Sequence, residues 1–427
     1  MTKAELLNHS EPRAESHSMR ADEHAGFWQN LGDAFEKRTA SFESMPASVQ
    51  RIDQAALYRA LMWCGEHMKD SQVRFYHHRS DDTVWNMYSP SPLPAAVLPI
   101  REDGSLAVYI DRMRRQIASP DGYSIFVTSV IKHDEFTWRV VRGFVRELVR
   151  RVGLPPRGFD AGFGLGQYDF TPSGVHADTG RSAYILPIVG SKRFRIWTDD
   201  YARQHPDLAN VRGRYDTLKK DSLELEAGPG GLLYWPENGW HIYEGDGEFT
   251  AMLSLGAFVG EQVANLPCDV DKLQELAQTV PDSFSVKAIK DTPIRTQNAP
   301  VEQVWLGFLS GLGLRYPIPS RHDALPDGPL RGDRDPILWR ALPDGRIAIG
   351  VNGHCIVDSG NWLTPLVERI NARVPFAVAE VVSDPAGSAV RAMLERLWAC
   401  GALRNDSPLV HAHQRGARSL HVPDARR

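Results

Sequence analysis

Two histidines and one carboxylate that can face a single point are the residues of this chain best suited to do chemistry. A mononuclear non-haem iron centre uses such a set on one face of the metal and leaves the remaining positions open. Residues i and i+2 of a strand point the same way, so a His-x-Asp or His-x-Glu pair directs both side chains at one metal. Four pairs match this pattern: His9/Glu11, His133/Glu135, His176/Asp178 and His205/Asp207. With 15 histidines and 53 acidic residues among 427, about two matches are expected by chance, so context must decide between them.

The context favours His176 and Asp178. A strand-like segment and a Ser173-Gly174 turn precede this pair, and an apolar strand follows it, whereas the other three pairs lie in polar segments or beside a helix start. Further along the chain, a buried strand and a Pro/Gly turn lead to His241, which opens the next strand. In a folded barrel this brings a third ligand to the first two. The sequence therefore predicts His176, Asp178 and His241 as metal ligands, with a structural histidine as the alternative for His241.

A basic strand between these ligands offers a cation for a cosubstrate. A dicarboxylate that chelates the metal through its 2-oxo acid end needs a fixed cation for its far carboxylate when both are buried. In the segment KRFRIW, alternation gives Lys192 the same face as Phe194 and Ile196, and gives Arg193 and Arg195 the other face. The apolar company of Lys192 predicts that it is the buried cation. A solvent-facing basic strand is the alternative.

The elements that position these residues indicate a mixed α+β protein. Apolar spacing predicts helices over 54–69 and 138–152. Between 160 and 260, short β-branched or aromatic runs alternate with Gly and Pro turns, a pattern typical of a sandwich or barrel. The last part of the chain predicts strands joined by Asp344-Gly345 and Asn352-Gly353 turns, followed by short helices.

Composition excludes several function classes. The net charge of −4 argues against a protein built to grip nucleic acid, and the four separate cysteines form neither a disulfide framework nor a zinc motif. The N-terminal segment lacks the apolar core of a signal peptide, and no apolar run reaches the length of a membrane helix. We therefore expect a cytoplasmic protein without a membrane partner.

Together, the motifs resemble those of the JmjC-type 2-oxoglutarate oxygenases, and most closely the cupin-like ribosomal oxygenase branch. The matching residues are His176-x-Asp178, Gly190-x-Lys192-x-Phe194, Trp235-Pro236 and His241. The resemblance implies that His176, Asp178 and His241 bind Fe(II), and that Lys192 binds 2-oxoglutarate, with dioxygen as the other cosubstrate. It also implies that Ser254 lies near the cosubstrate, and we expect Tyr168 and Ser173 to take part in its binding. The segment Gly166-Gln167-Tyr168 departs from the Asn-x-Tyr that is frequent in the family.

The resemblance also implies an architecture. It is an α+β protein with a double-stranded β-helix (the jelly roll or cupin fold), a helical dimerisation region and a C-terminal winged-helix-like domain. The corresponding boundaries are a mobile tail over 1–26, the catalytic domain over 27–262, a helical region with linker over 263–334, the winged-helix-like domain over 335–405 and a tail over 406–427. The apolar residues of the helical region, including Leu273, Trp305 and Phe308, predict a homodimer.

The expected function is that of an Fe(II)- and 2-oxoglutarate-dependent dioxygenase that hydroxylates an amino-acid side chain in a protein or peptide. Short turns on both sides of the ligands, at 171–174 and 236–239, favour an open groove over a closed lid. Two alternatives stay open. One is hydroxylation of a free amino acid or specialised metabolite. The other is a non-catalytic cupin-like binding protein with a nucleic-acid-binding tail, although the few basic residues in the tail helices argue against nucleic acid as a partner.

Overall fold

The computed structural model of the protein divides into two compact units. The N-terminal unit comprises Met1–Thr128, Arg139–Gly153 and Ala161–Glu261, and the C-terminal unit comprises Ser129–Trp138, Leu154–Asp160 and Gln262–Arg427. The residues that the structure describes are 13–47, 49, 51–67, 73–77, 86–88, 97–117, 122–209, 216–260, 265–280, 300–317, 324–382 and 386–406. Among them, no helix is long and apolar enough to cross a membrane.

The described chain contains both helices and strands. The helices are α1 (Arg13–Ala34), α2 (Gln54–His67), α3 (Leu106–Gln116), α4 (Glu135–Val152), α5 (Asp199–Gln204), α6 (Asp216–Lys219), α7 (Leu273–Ala277), α8 (Val301–Gly311), α9 (Leu363–Asn371), α10 (Val378–Val382) and α11 (Gly387–Ala399). The strands are β1 (Ala40–Phe42), β2 (Val73–His77), β3 (Asn86–Tyr88), β4 (Tyr123–Val127), β5 (Phe159–Gln167), β6 (His176–Ala177), β7 (Arg181–Val189), β8 (Lys192–Trp197), β9 (Leu223–Ala227), β10 (Leu232–Trp235), β11 (Trp240–Glu244), β12 (Phe249–Phe258), β13 (Leu330–Gly332), β14 (Leu338–Ala341), β15 (Ile347–Val351), β16 (His354–Asp358) and β17 (Leu403–Asn405).

Two sheets build the N-terminal unit. The larger has eight strands in the order β1-β10-β7-β12-β5-β4-β2-β3, and the smaller has four in the order β6-β11-β8-β9. Paired strands such as β7 with β12 and β8 with β11 run antiparallel. The strands predicted between 160 and 260 are thus confirmed, and the short strands β1 and β9 are additions that the sequence pattern did not indicate.

The core of this unit lies between the two sheets, because one buried cluster draws side chains from both. The larger sheet contributes Ala183, Ile185, Leu233, Trp235 and Met252, and the smaller sheet contributes Phe194, Ile196, Leu225, Ala227 and Tyr243. Strand β8 shows the alternation that this packing requires: Lys192 and Phe194 are buried between the sheets, and Arg193 is exposed on the opposite face.

Two predicted segments differ from the observed helices. Residues 13–26, assigned to a tail, lie in α1, whose C-terminal part buries Phe27, Trp28 and Leu31. Packing of that apolar end anchors a helix whose polar N-terminal part carries no periodic signal in the sequence. Residues 1–12 and 407–427 of the predicted tails lie outside the described residues. Helix α4 begins three residues before the predicted start and, as predicted, buries one apolar face.

The C-terminal unit combines helices with two small sheets. Strands β14, β15 and β16 form one antiparallel sheet, and β13 pairs with β17 in the other. Both predicted turns are confirmed: Gly345 has a φ of 84°, and Asn352 and Gly353 have φ values of 46° and 88°, as a tight turn between right-twisted strands requires. Helices α9, α10 and α11 follow β16, which confirms the short helices predicted after these strands.

The predicted helical region 263–334 and the predicted domain 335–405 share this one unit. The side-chain amide of Gln274 on α7 accepts a hydrogen bond from the Trp339 N–H at 3.1 Å and donates one to the Trp339 carbonyl at 2.7 Å. Leu273, Trp305 and Phe308 are buried within the unit. Those side chains therefore do not provide the free apolar surface on which the homodimer expectation depended, and the dimer stays a prediction.

Candidate metal centre

The two predicted histidine ligands lie side by side on neighbouring strands of the smaller sheet. His176 on β6 is directly opposite His241 on β11 in the antiparallel register. Side chains at opposed positions of an antiparallel pair share one face of the sheet and stand close together. Their ring centroids are 4.4 Å apart. The fold thus brings together two residues that are far apart in the sequence, as predicted.

Each imidazole ring is fixed by the backbone carbonyl group two residues before it. Nδ1 of His176 lies 2.9 Å from the Gly174 carbonyl oxygen, and Nδ1 of His241 lies 2.9 Å from the Gly239 carbonyl oxygen. A carbonyl oxygen only accepts hydrogen bonds, so each Nδ1 carries the proton and each Nε2 keeps a lone pair. This is how histidine ligands are oriented around metals. Burial, followed by the neighbouring His176, lowers the pKa of His241 to about 4, which keeps this ring neutral at physiological pH.

The third predicted ligand is engaged by an arginine. Asp178 follows β6 directly, and its Oδ2 accepts a hydrogen bond from Arg181 Nη1 at 2.9 Å. Burial alone raises the pKa of Asp178, but the positive charge of Arg181 and its hydrogen bond outweigh burial, and the net shift is downward. The carboxylate is therefore ionised, as a metal ligand must be.

Arg181 also contacts Ser254, the residue expected near the cosubstrate. Its Nη2 donates to Ser254 Oγ at 3.0 Å, so Ser254 contacts a guanidinium group here. Within the described part of the chain, no group of three or more His, Cys, Asp or Glu side chains has an arrangement that would hold a metal ion. The structure thus places two of the three predicted ligands together and pairs the third with Arg181.

Lys192 lies between the sheets with its side chain fully buried. Its Nζ donates to Thr250 Oγ1 at 2.6 Å and lies 4.0 Å from the centre of the Tyr243 ring and 5.4 Å from that of Tyr168. The negative charge of Asp246 favours the protonated form of Lys192. However, no carboxylate among the described residues forms an ion pair with the ammonium group. Burial lowers the pKa of Lys192 well below its ordinary value. The buried face predicted for Lys192 is confirmed.

Hydroxyl groups complete the surroundings of Lys192. Thr250 Oγ1 also lies 3.1 Å from the Tyr243 hydroxyl, and the Tyr243 ring packs edge-on against Tyr168. Sequence reasoning expected Tyr168 here but missed Thr250. The available signal was its position on β12, four residues before Ser254 and on the same face. Ser173, by contrast, is exposed on the turn before β6 and does not belong to this buried pocket.

Aromatic rings form the wall beside His241. The Trp235 ring lies 4.7 Å from that of His241 and 4.8 Å from that of Phe194, and its Nε1–H has no hydrogen-bond partner among the described residues. Tyr243 belongs to the Lys192 pocket, and Trp240 packs against a separate cluster because it alternates with His241 along β11.

Of the other His-x-acid pairs, two lie among the described residues. His133 is half-buried after a short 3₁₀ turn, and Glu135 opens α4, where a carboxylate is favourable. The His205 ring stacks on Tyr201 at 4.2 Å. His9 and Glu11 lie outside the described residues.

No protein-family model matches this chain, and no curated protein matches it. A structure of YcfD, a ribosomal oxygenase from Escherichia coli, with cobalt and succinic acid is similar at a TM-score of 0.43 and 15% identity, over 89% of this chain and 98% of that chain. The same protein with cobalt and 2-oxoglutarate gives a TM-score of 0.42 at 14% identity, over 89% and 98%. A mutant of Bacillus subtilis oxalate decarboxylase OxdC gives a TM-score of 0.19 at 13% identity, over 38% and 31%.

Proposed function

We propose that this protein is an Fe(II)- and 2-oxoglutarate-dependent oxygenase. The observation that carries the proposal is the pairing of two imidazoles with free Nε2 atoms and, on the same small sheet, a fully buried lysine without an ion-pair partner among the described residues. A buried ammonium group is unfavourable unless an anion meets it. A ligand that carries a carboxylate therefore completes this site.

His176 and His241 would hold the iron through Nε2, and Asp178 would supply the carboxylate. The residues fit a ferrous ion in donor type and in the orientation of both imidazoles, while Asp178 must first part from Arg181. When bound with a 2-oxo acid, the iron supplies oxidation of an unactivated C–H bond by dioxygen. One oxygen atom enters the substrate and the other enters succinate, with release of carbon dioxide.

Lys192 and Thr250 would bind the far carboxylate of 2-oxoglutarate. The ammonium group supplies charge, and the Thr250 hydroxyl, 2.6 Å from Nζ, orients it. The rings of Tyr168 and Tyr243 exclude water around this group, which strengthens a charge-assisted hydrogen bond. The Trp235 indole N–H, in the wall beside His241, is a further donor.

We further propose that the two facing sheets are a double-stranded β-helix and that residues 335–405 are its winged-helix-like appendage, in a cytoplasmic homodimer. The order of the sheets and the strand–helix sequence of the C-terminal unit support this assignment.

The substrate in this proposal is an amino-acid side chain in a protein or peptide. Support comes from the turns beside the ligands: 171–174 is four residues long, and the turn before β11 closes with Asn238 at a φ of 62°. Short turns of this kind favour an open end of the sheets over a closed lid. YcfD is a ribosomal oxygenase, which makes ribosomal proteins the first peptides to test. A free amino acid or specialised metabolite is the second candidate.

The test couples succinate release to a product. Iron-loaded protein, 2-oxoglutarate and a peptide pool should yield succinate and a peptide heavier by about 16 mass units, the mass of one oxygen atom. A His176→Ala variant should yield neither product. Binding of 2-oxoglutarate without turnover on any peptide or amino acid would instead support the non-catalytic binding protein.

A further inference from the structure

The Arg181 side chain contacts both Asp178, the residue assigned to the metal, and Ser254, the residue assigned to the cosubstrate. Its Nη1 bonds Asp178 Oδ2 at 2.9 Å, and its Nη2 bonds Ser254 Oγ at 3.0 Å. The side chains of Arg181 and Asp178 are 25% and 26% exposed. Two hydrogen bonds to different nitrogens fix the plane of a guanidinium group. The pair is therefore a defined feature of the site and not a surface contact that forms at random.

Strand β12 provides a seat for this side chain. Arg181 is opposite Phe258 in the register, and the residues Ser254, Gly256 and Phe258 alternate onto one face. A Cβ atom on Gly256 would stand 2.1 Å from Arg181 Nε, so only glycine leaves room for the arginine to cross β12 and reach Ser254. Ser254 and Gly256 of this strand thus support the guanidinium group beside Asp178.

This seat has a direct consequence for the metal centre. The imidazoles of His176 and His241 stand together with both Nε2 atoms available, yet among the described residues no three-donor arrangement exists. Of the three predicted ligands, the carboxylate is the one bound to another cation. We infer that Arg181 competes with the metal for Asp178, so that an ion is held tightly only after the Arg181–Asp178 pair has opened.

The inference rests on the proposed function, and it predicts whether metal binding becomes tighter or weaker when Arg181 is removed. Arg181 opposes a divalent ion by occupying the carboxylate and by placing a positive charge near the same point. If Arg181 instead positioned Asp178 as a ligand, its removal would weaken metal binding, as loss of outer-sphere partners does. Competition predicts tighter binding, and positioning predicts weaker binding.

Co(II) titration of the full-length protein, stripped of metal with a chelator, distinguishes the two. The Arg181→Met variant keeps the length of the chain and removes its charge, and it should bind Co(II) roughly three- to ten-fold more tightly than the wild type, as expected for a partly buried ion pair. A Ser254→Ala variant keeps the charge but loosens the guanidinium group, and it should shift the affinity in the same direction by a smaller factor. Arg203→Met, which removes an exposed arginine from α5, is the matched control and should bind Co(II) like the wild type.

Each outcome decides a different question. Unchanged or weaker Co(II) binding by folded Arg181→Met protein overturns the competition. If Arg181→Met does not fold, the Ser254→Ala result decides, and weaker or unchanged binding overturns the inference there as well. If His176→Ala binds Co(II) as the wild type does, the proposed metal centre itself is wrong and the competition falls with it. Loss of binding in His176→Ala without a gain in Arg181→Met overturns the competition alone.

Discussion

Replacement of Lys192 by Met should stabilise the ligand-free protein and abolish cosubstrate binding. The ammonium group is fully buried and is offset by one hydrogen bond to Thr250 and by the Tyr243 ring. Such a bond to a charged group contributes about 1.5–3 kcal/mol, and a desolvated cation–π contact contributes about 1–2 kcal/mol. Exchange of a buried charge for an apolar chain of similar volume is often stabilising by about 1–4 kcal/mol. We expect the free energy of unfolding to rise by about 1 kcal/mol, or Tm by about 2–4 °C.

Binding of 2-oxoglutarate should change in the opposite direction. A buried carboxylate that loses its cation costs about 3 kcal/mol, which weakens binding by more than about 100-fold. Calorimetric titration of metal-loaded protein with 2-oxoglutarate measures this loss, and thermal unfolding of ligand-free protein measures the gain. Arg193→Met is the matched control, because Arg193 is the next residue on β8 and its side chain is 45% exposed beside Glu226. It should leave both quantities unchanged.

The pH dependence of the gain gives an independent check. Burial holds the pKa of Lys192 in the folded chain well below 10.5, the value in the unfolded chain. Between the folded-state pKa and pH 10.5, the unfolded chain therefore binds a proton that the folded chain does not. The cost of the buried lysine is therefore largest at low pH and disappears as the pH rises toward 10.5. The difference in Tm between Lys192→Met and the wild type should shrink over the same range. A Lys192→Met protein that is less stable than the wild type and still binds 2-oxoglutarate refutes the reasoning, and assigns Lys192 to the core.

Three further predictions concern the site and the fold. In a Co(II) titration, His176→Ala should lose metal binding, whereas His205→Ala should keep it because the His205 ring stacks on Tyr201. The reverse result would assign the metal centre to His205. The pKa of His241 is about 4 in the folded chain and 6.5 in the unfolded chain, so the unfolded chain binds more protons between these values. The free energy of unfolding should therefore fall by up to about 3 kcal/mol as the pH falls from 6.5 to 4. In denaturant titrations, His241→Phe should lack this part of the fall. Gly353→Ala should lower the stability of the C-terminal unit by about 2 kcal/mol or more, because φ is 88° and the new Cβ would stand 2.2 Å from the Leu314 carbonyl oxygen; an unchanged urea midpoint would contradict the turn.

Local patterns in the sequence predicted the parts of the fold that depend on alternation and on turn chemistry. Strand β8 is an example, since its apolar positions alone assigned Lys192 to the buried face. The Asn352-Gly353 turn is another, because few residue pairs adopt positive φ at two successive positions. Helix α1 was missed because its polar N-terminal part depends on the packing of Phe27 and Trp28 at the other end. Tertiary contact, rather than local preference, decides such a helix.

The same distinction explains the candidate site. The pairing of His176 with His241 follows from strand register. The strand and turn before His241 predicted that the two residues converge, but not the register itself. Arg181 has no comparable signal, because its role arises from a diagonal path across β12 that only Gly256 permits. A guanidinium group three residues after a predicted ligand reads in the sequence as a surface charge at a turn. In the folded chain it binds Asp178, and under the proposed competition the affinity for a metal depends on whether Arg181 or the ion holds this carboxylate.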